Sequence, residues 1–307
     1  MQTLKLGTRG SRLALWQAAH VAEVLHRHYT DIDFEIVIIR TTGDKILDTS
    51  LSKIGDKGLF TKEIEAALLN GRIDLAVHSM KDVPNELTAG LAIAAILQRE
   101  AANDVLISRH DLSIKELPEG AVLGTSSLRR ISQLRAYRPD LRIKEIRGNV
   151  DTRLQRMEEQ GLDGVLLAAA GVTRLGLESR ISDNIDYSII LPAAGQGAIG
   201  VEIRNDDENL RNLLSVIDHE PTAACVRMER VFLAALGGGC QVPIAALAVP
   251  QGTDLVLDGL IASLDGNRIY RDQVTVSADA AAEGGARLAH KLLAQGGDAI
   301  LDEIVRP

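Results

Sequence analysis

Leu4 and Leu6 alternate with polar positions, Ser11 to His28 carries Leu15, Ala18, Ala22 and Leu25 at helical spacing, and Phe34 to Ile39 is rich in β-branched residues. This pattern predicts a strand, a helix and a second strand, the opening of a parallel α/β sheet. Phe60 to Leu69 returns to helical spacing, Ile73 to Val77 and Leu91 to Leu97 are short apolar runs, and Pro84 and Gly90 mark turns between them. After a linker at Gln98 to Asn103 the alternation restarts. Strands are predicted at 105–107, 122–123, around Ile143 and at 165–167, with helices at 128–137 and 150–159. Periodicity alone thus gives two α/β units in series.

From Glu220 the character changes. Ala224, Met228, Phe232 and Leu236 share one helix face, Gly237 to Gly239 follow, and alternating segments at 255–264 and 268–276 meet at Asp265-Gly266. With a last helix over 278–294, a small α+β domain on an antiparallel sheet is predicted. The stretch 41–58, TTGDKILDTSLSKIGDKG, has weak periodicity and reads as a mobile loop over a cleft.

Composition adds exclusions. The chain has 307 residues, 46% hydrophobic and 25% charged, which fits two or three globular domains and rules out disorder or coiled coil. No apolar run reaches the length of a membrane span, and the start, MQTLKLGTRGSR, lacks an apolar signal core, so a cytoplasmic protein is expected. Cys225 and Cys240 are too few for a disulfide framework and form no CxxC pair, so neither structural zinc nor an oxidising compartment is expected. A net charge of −8 and only eight aromatic residues argue against a nucleic-acid binder.

The charge is unevenly placed. Between Gly124 and Arg156, eight arginines and Lys144 stand against Asp140, Glu145 and Asp151, a net of +6 inside an acidic chain. Three loops at predicted strand ends deliver arginine: Gly124-Thr125-Ser126-Ser127 before Arg129 and Arg130, Arg147-Gly148-Asn149 before Arg153, and Ala170-Gly171-Val172-Thr173-Arg174. Free amides at helix starts and guanidinium forks together suit a carboxylate or phosphate, although each loop alone could be a capped helix with a solvated face. Neither GxxxxGK[ST] nor a helix-opening GxGxxG is present, which favours carboxylates. Lys81 and Asp82 follow a strand in HSMKDVP, either as a turn-forming pair or as a carboxylate facing the same cleft. Cys225 lies on an apolar helix face and reads as a buried thiol, whereas Cys240 follows three glycines on a loop that could present it to a cleft.

The motifs GTRGSRLALWQ (7–17), GDKGLFTKEIE (55–65), AVHSMKDVP (76–84), GTSSLRR (124–130), RGNVDTRL (147–154), LAAAGVTRLG (167–176), LPAAGQGAIG (191–200) and ERVFLAALGGGCQVPIA (229–245) together resemble the porphobilinogen deaminase family. The resemblance implies an α/β fold of two periplasmic-binding-protein-like (type II) lobes with a small C-terminal α+β domain. The first lobe would comprise 1–97 and 198–217, the second, arginine-rich lobe 103–192, and the cofactor-bearing domain 220–307. It also implies a transferase of tetrapyrrole biosynthesis that joins four porphobilinogens head to tail with loss of ammonia and releases hydroxymethylbilane with water.

Growth would start from a dipyrromethane held by a thioether at Cys240, with Asp82 as the catalytic carboxylate stabilising the azafulvene cation left by ammonia. By the same matching, Lys81, Asp82, Thr125, Ser127, Arg129, Arg130, Arg147 and Gly171 contact the cofactor. Arg9, Ser11, Arg147, Arg153, Arg174 and Gln196 contact substrate, and Lys53 and Lys57 sit on a lid. No metal, nucleic acid or membrane partner is implied, and a monomer is expected. A noncatalytic two-lobed anion-binding module is the rival reading, but it leaves Cys240 without a task.

Overall fold

A computed structural model of the chain describes residues 2–45, 58–238 and 242–305. In chain order the strands are β1 (Gln2–Thr8), β2 (Ile32–Ile38), β3 (Leu75–Ser79), β4 (Leu91–Ile96), β5 (Asp104–Ser108), β6 (Val122–Gly124), β7 (Arg142–Lys144), β8 (Gly164–Ala168), β9 (Asp183–Asn184), β10 (Ile199–Arg204), β11 (Ile244–Gln251), β12 (Asp254–Ala262) and β13 (Ile269–Ser277). They form two five-stranded sheets, ordered β2-β1-β3-β10-β4 and β7-β6-β8-β5-β9, and one three-stranded sheet, β11-β12-β13.

The two large sheets repeat one plan. In each, three strands are parallel, and the fourth is antiparallel to both its neighbours and arrives from the other lobe: β10 in the first, β5 in the second. The lobes therefore exchange strands across two connections. These connections bond to each other, Leu97 N–H donating to the Ile199 carbonyl at 3.0 Å and Glu100 N–H to that of Gly197 at 3.2 Å. The return of β10 differs from the serial order that periodicity suggests. A fully buried apolar strand carries no mark of which sheet it joins, since β3, β5, β8 and β10 all show near-continuous burial.

The Arg12–His28 helix starts at Ser11, whose hydroxyl accepts from Ala14 N–H, and buries Ala18, Val21 and Leu25 against β1, β3 and β10. In the third unit, the Glu220–Ala235 and Ala281–Leu292 helices cover one face of the small sheet through Met228, Phe232, Leu257 and Leu288. Its β12–β13 turn contains the predicted Asp265-Gly266, with Gly266 at φ +78°. The predicted last helix is shorter than its expected span. It ends near Leu292, the chain bends at Gly296 (φ +114°), and a further helix runs Asp298–Val305.

This unit packs on the connections. Ala102 and Leu191 join Ala245, Leu247, Leu260 and Ala262 in one apolar cluster, and Met80, Val83, Ile96 and Ala198 join Ala223 and Val226 in another. At their centre, Glu229 is fully buried and receives Arg99 Nη1 at 2.5 Å, Gly195 N–H at 2.6 Å and Ala248 N–H at 2.8 Å. One carboxylate thus joins both connections to the C-terminal unit.

Candidate active site

Parallel strands open their carboxyl ends toward helix starts, and there the predicted loops meet. β3 runs into a single turn, Met80–Asp82, β6 into Thr125–Ser127 ahead of the Leu128–Tyr137 helix, and β8 directly into the Ala169–Arg174 helix. The Val150–Glu159 helix is capped by Asn149, whose side chain accepts from Thr152 N–H at 2.9 Å. Asp82 lines a recess with Arg9, Ser11, Gln17, Phe60, His78 and Ser79, so the first-lobe candidates share one wall.

On the facing lobe, four of the eight arginines of the basic segment belong to the cleft. Arg129 and Arg130 are buried, and both bind the carboxylate of Asp104: Arg129 Nη1 reaches Oδ2 at 2.7 Å and Arg130 Nη2 reaches Oδ1 at 2.6 Å. Their other bonds go to the carbonyls of Leu191 and Leu166. Arg153 Nε donates to the Gly148 carbonyl at 2.9 Å, and Arg174 Nη2 to that of Gly197 at 2.7 Å while its guanidinium lies over the Trp16 ring. Arg130 Nε and Arg147 Nη1 are buried without a hydrogen-bond partner among the described residues. The remaining four serve elsewhere: Arg135 binds the Leu264 carbonyl, Arg138 binds Asp140, Arg142 is exposed and Arg156 binds the Arg147 carbonyl.

The electrostatics follow from crowding. Desolvation pushes the Lys81 ammonium down to about 8; Arg130 and Arg129 act in the same direction, and Asp82 and Asp104 oppose it. Arg153 is lowered to about 10, again chiefly by burial, with Arg130 and Arg147 adding repulsion and Asp82 relieving it. Asp104 is driven far below the usual carboxylate range by its two arginines, which outweigh its desolvation. Among the described residues, the carboxylates that act on Lys81, Arg129, Arg130 and Arg153 are Asp82 and Asp104. Such a wall, with buried donors left open, is complementary to several carboxylates at once.

The contacts redistribute several expected roles. Ser11 is a helix cap on the recess wall, and Thr125 is buried with its hydroxyl accepting from Ser127 N–H at 3.2 Å. Gly171 sits where the lobes approach, an added Cβ lying 3.5 Å from Leu13. Gln196, expected to contact substrate, is only 1% exposed and directs its amide N–H groups to the Ala102 carbonyl at 2.6 Å and Asp104 at 3.0 Å. Its free oxygen is an acceptor and holds no carboxylate. Arg9 is bound through two nitrogens to Asp44 and stacks over Phe60.

Cys225 is the buried thiol expected, pushed up to about 11 by desolvation and by Glu229. Cys240, Lys53 and Lys57 lie outside the described residues. Asp104, Asp44, Arg99 and Glu229 are contributions the sequence reading missed. The Asp82 turn is also anchored from behind, by Arg230 donating to the carbonyls of Val83, Pro84 and Asn85 and by Asn85 donating to that of Gly238 at 2.9 Å.

Two α/β lobes that meet at a cluster of buried cations, with a third unit packed on their connections, are the frame of a protein that binds an anion. Residues 4–212 match a family model described as porphobilinogen deaminase, dipyromethane cofactor binding domain, and residues 223–294 match the same enzyme's C-terminal domain. The chain belongs to the porphobilinogen deaminase family. Proteins named porphobilinogen deaminase are 57% identical in Syntrophomonas wolfei, over 99% of both chains, and 52% identical in Moorella thermoacetica, over 99% of this chain and 97% of that one. Among solved structures, the periplasmic VFT2 domain of BvgS from Bordetella pertussis is 16% identical over 69% of this chain and 85% of that one, with a TM-score of 0.42. Among the described residues no helix is long and apolar enough to cross a membrane.

Proposed function

We propose that this chain condenses four porphobilinogen molecules head to tail on a dipyrromethane bound through Cys240 and releases hydroxymethylbilane by hydrolysis, acting as a monomer in the cytoplasm. The observation that carries the reading is the pair of buried, partnerless guanidinium nitrogens on Arg130 and Arg147 within a wall of five cations. Each pyrrole of cofactor or substrate brings an acetate and a propionate, whose oxygens match such donors in charge and geometry. When bound, the dipyrromethane supplies the terminal pyrrole carbon that is extended.

The chain's own residues bind, orient and polarise. Lys81, Arg129, Arg130 and Arg147, with the Thr125 and Ser127 hydroxyls and the backbone at Gly171, hold the cofactor carboxylates. Arg9, Ser11, Arg153 and Arg174 hold those of the incoming pyrrole. Asp82 stands beside Lys81 and within the field of Arg153, and its anion stabilises positive charge on the substrate pyrrole as ammonia departs. Lys53 and Lys57 close over the bound chain. A reducing cytoplasm keeps the Cys240 thiol available for thioether formation.

Intact mass tests the assignment. The purified protein should exceed its sequence mass by about 420 Da, two porphobilinogens each less one ammonia, with the addition mapped to Cys240 and absent from Cys240→Ser. Active protein at the bare sequence mass would overturn the covalent attachment.

A further inference from the structure

We propose that Asp104 is a positioning residue for carboxylate capture: from beneath the wall, its one carboxylate fixes the direction in which Arg129 and Arg130 present their remaining donors, and it ties that direction to the lobe connection through Gln196. The inference rests on the reading of the wall as the carboxylate-binding surface.

Asp104 is fully buried at the start of β5, the strand that arrives from the first connection. Its Oδ2 receives Arg129 Nη1 at 2.7 Å, and its Oδ1 receives both Arg130 Nη2 at 2.6 Å and Gln196 Nε2 at 3.0 Å. Gln196 belongs to the second connection and also binds the Ala102 carbonyl on the first, at 2.6 Å. Each arginine is additionally held by a main-chain carbonyl, at 2.8 Å for Leu191 and 2.9 Å for Leu166. Of these adjacent helix residues, Arg129 is thus held by two bonds at its single Nη1, and Arg130 by one bond at each terminal nitrogen. Among the described residues nothing comparable fixes Arg147, whose Nη1 is buried and has no hydrogen-bond partner there. A planar guanidinium pinned along one edge keeps its other donors in a fixed fan, which is the geometry a bidentate carboxylate contact needs.

A carboxylate under a cationic wall should weaken anion binding if the wall acts only through its charge, because it cancels part of the field. If Asp104 instead aims the arginines, removing it should weaken binding although the wall becomes more positive. The two roles predict opposite signs.

The test is calorimetric binding of an unreactive pyrrole bearing the acetate and propionate but no aminomethyl group. Wild type, Asp104→Asn, Asp104→Glu and Arg147→Leu are compared at one cofactor-loading state, verified by intact mass. Asp104→Asn is expected to weaken binding by about tenfold, the worth of one charge-assisted hydrogen bond. Asp104→Glu keeps the charge but displaces it by a methylene, and it should weaken binding with little change in thermal midpoint. Equal or tighter binding by Asp104→Asn overturns the proposal. If that protein does not fold, wild-type affinity in Asp104→Glu overturns it instead. Unchanged affinity in Arg147→Leu would bring down the carboxylate-binding wall itself, and the role of Asp104 with it, whereas a loss there beside an unaffected Asp104 series refutes Asp104 alone.

Discussion

Glu229→Ala should be among the most destabilising single substitutions in this chain. The change removes an acceptor for Arg99 Nη1 at 2.5 Å and Nη2 at 3.2 Å, and for the amides of Gly195 at 2.6 Å and Ala248 at 2.8 Å, at a site with no solvent exposure. Breaking a buried ion pair from one side costs about 3–5 kcal/mol. Each stranded amide adds on the order of 1 kcal/mol, so a loss of about 5 kcal/mol is expected, since water entering the vacated space recovers part of the rest. In a chain of this size that lowers the thermal midpoint by about 10 °C. Arg99→Ala should cost less, about 3 kcal/mol, because Glu229 keeps both amides. Because the two residues share one interaction, the double substitution should fall short of the sum of the singles. Differential scanning calorimetry of the three variants measures the ranking. A midpoint for Glu229→Ala within 3 °C of wild type, or a larger loss from Arg99→Ala, would refute the reasoning.

Asp82→Asn, isosteric but uncharged, should slow the chemical step about a hundredfold in a single-turnover measurement while leaving substrate capture nearly intact. Lys81 should make carboxylate binding fall as pH rises through about 8, as its ammonium loses the proton, and Lys81→Arg should remove that limb of a binding titration. Because its folded pKa lies below the ordinary 10.5, the unfolded chain holds a proton the folded one has lost between those values. The Lys81 contribution to stability of the cofactor-free protein should therefore rise with pH over that window, with Lys81→Met abolishing the slope in thermal scans. Gly266→Ala places a Cβ 2.6 Å from the Ser132 carbonyl at a left-handed φ and should lower stability by about 2 kcal/mol in chemical denaturation.

The elements whose residues alternate or repeat visibly were legible: the Arg12–His28 helix from Leu15, Ala18, Ala22 and Leu25, and the β12–β13 hairpin from its Asp-Gly turn. The cationic cleft was legible as a charge imbalance, although the imbalance alone does not say which arginines face it. Arg135, Arg138 and Arg156 occur in the same segment as Arg129 and Arg130 yet bind other partners, and Arg142 is exposed. Asp104 was invisible for a different reason. In QREAANDVLIS it looks like the polar end of a linker, and its partners lie 25, 26 and 92 residues away, a relation that only the sheet order creates. Glu229 was similarly hidden on an otherwise apolar helix face, because a carboxylate that joins three segments has no local signature. The internal bonds of Gln196 were equally hidden, since its place in a matched motif says nothing of which way its amide turns.

The paired connections between the lobes have a mechanical consequence. Gly197, at φ +89°, lies so near the Glu100 carbonyl that a side chain there would strike it, and Arg99 Nε reaches across to the Gln196 carbonyl at 2.7 Å. Bonds that run across two side-by-side segments are all broken when one slides past the other, whereas bending both together breaks none. Relative movement of the lobes should therefore favour bending of this pair over lateral slip. On the proposed reaction, a product that lengthens one ring at a time should then be housed by widening one mouth rather than by shearing the cleft.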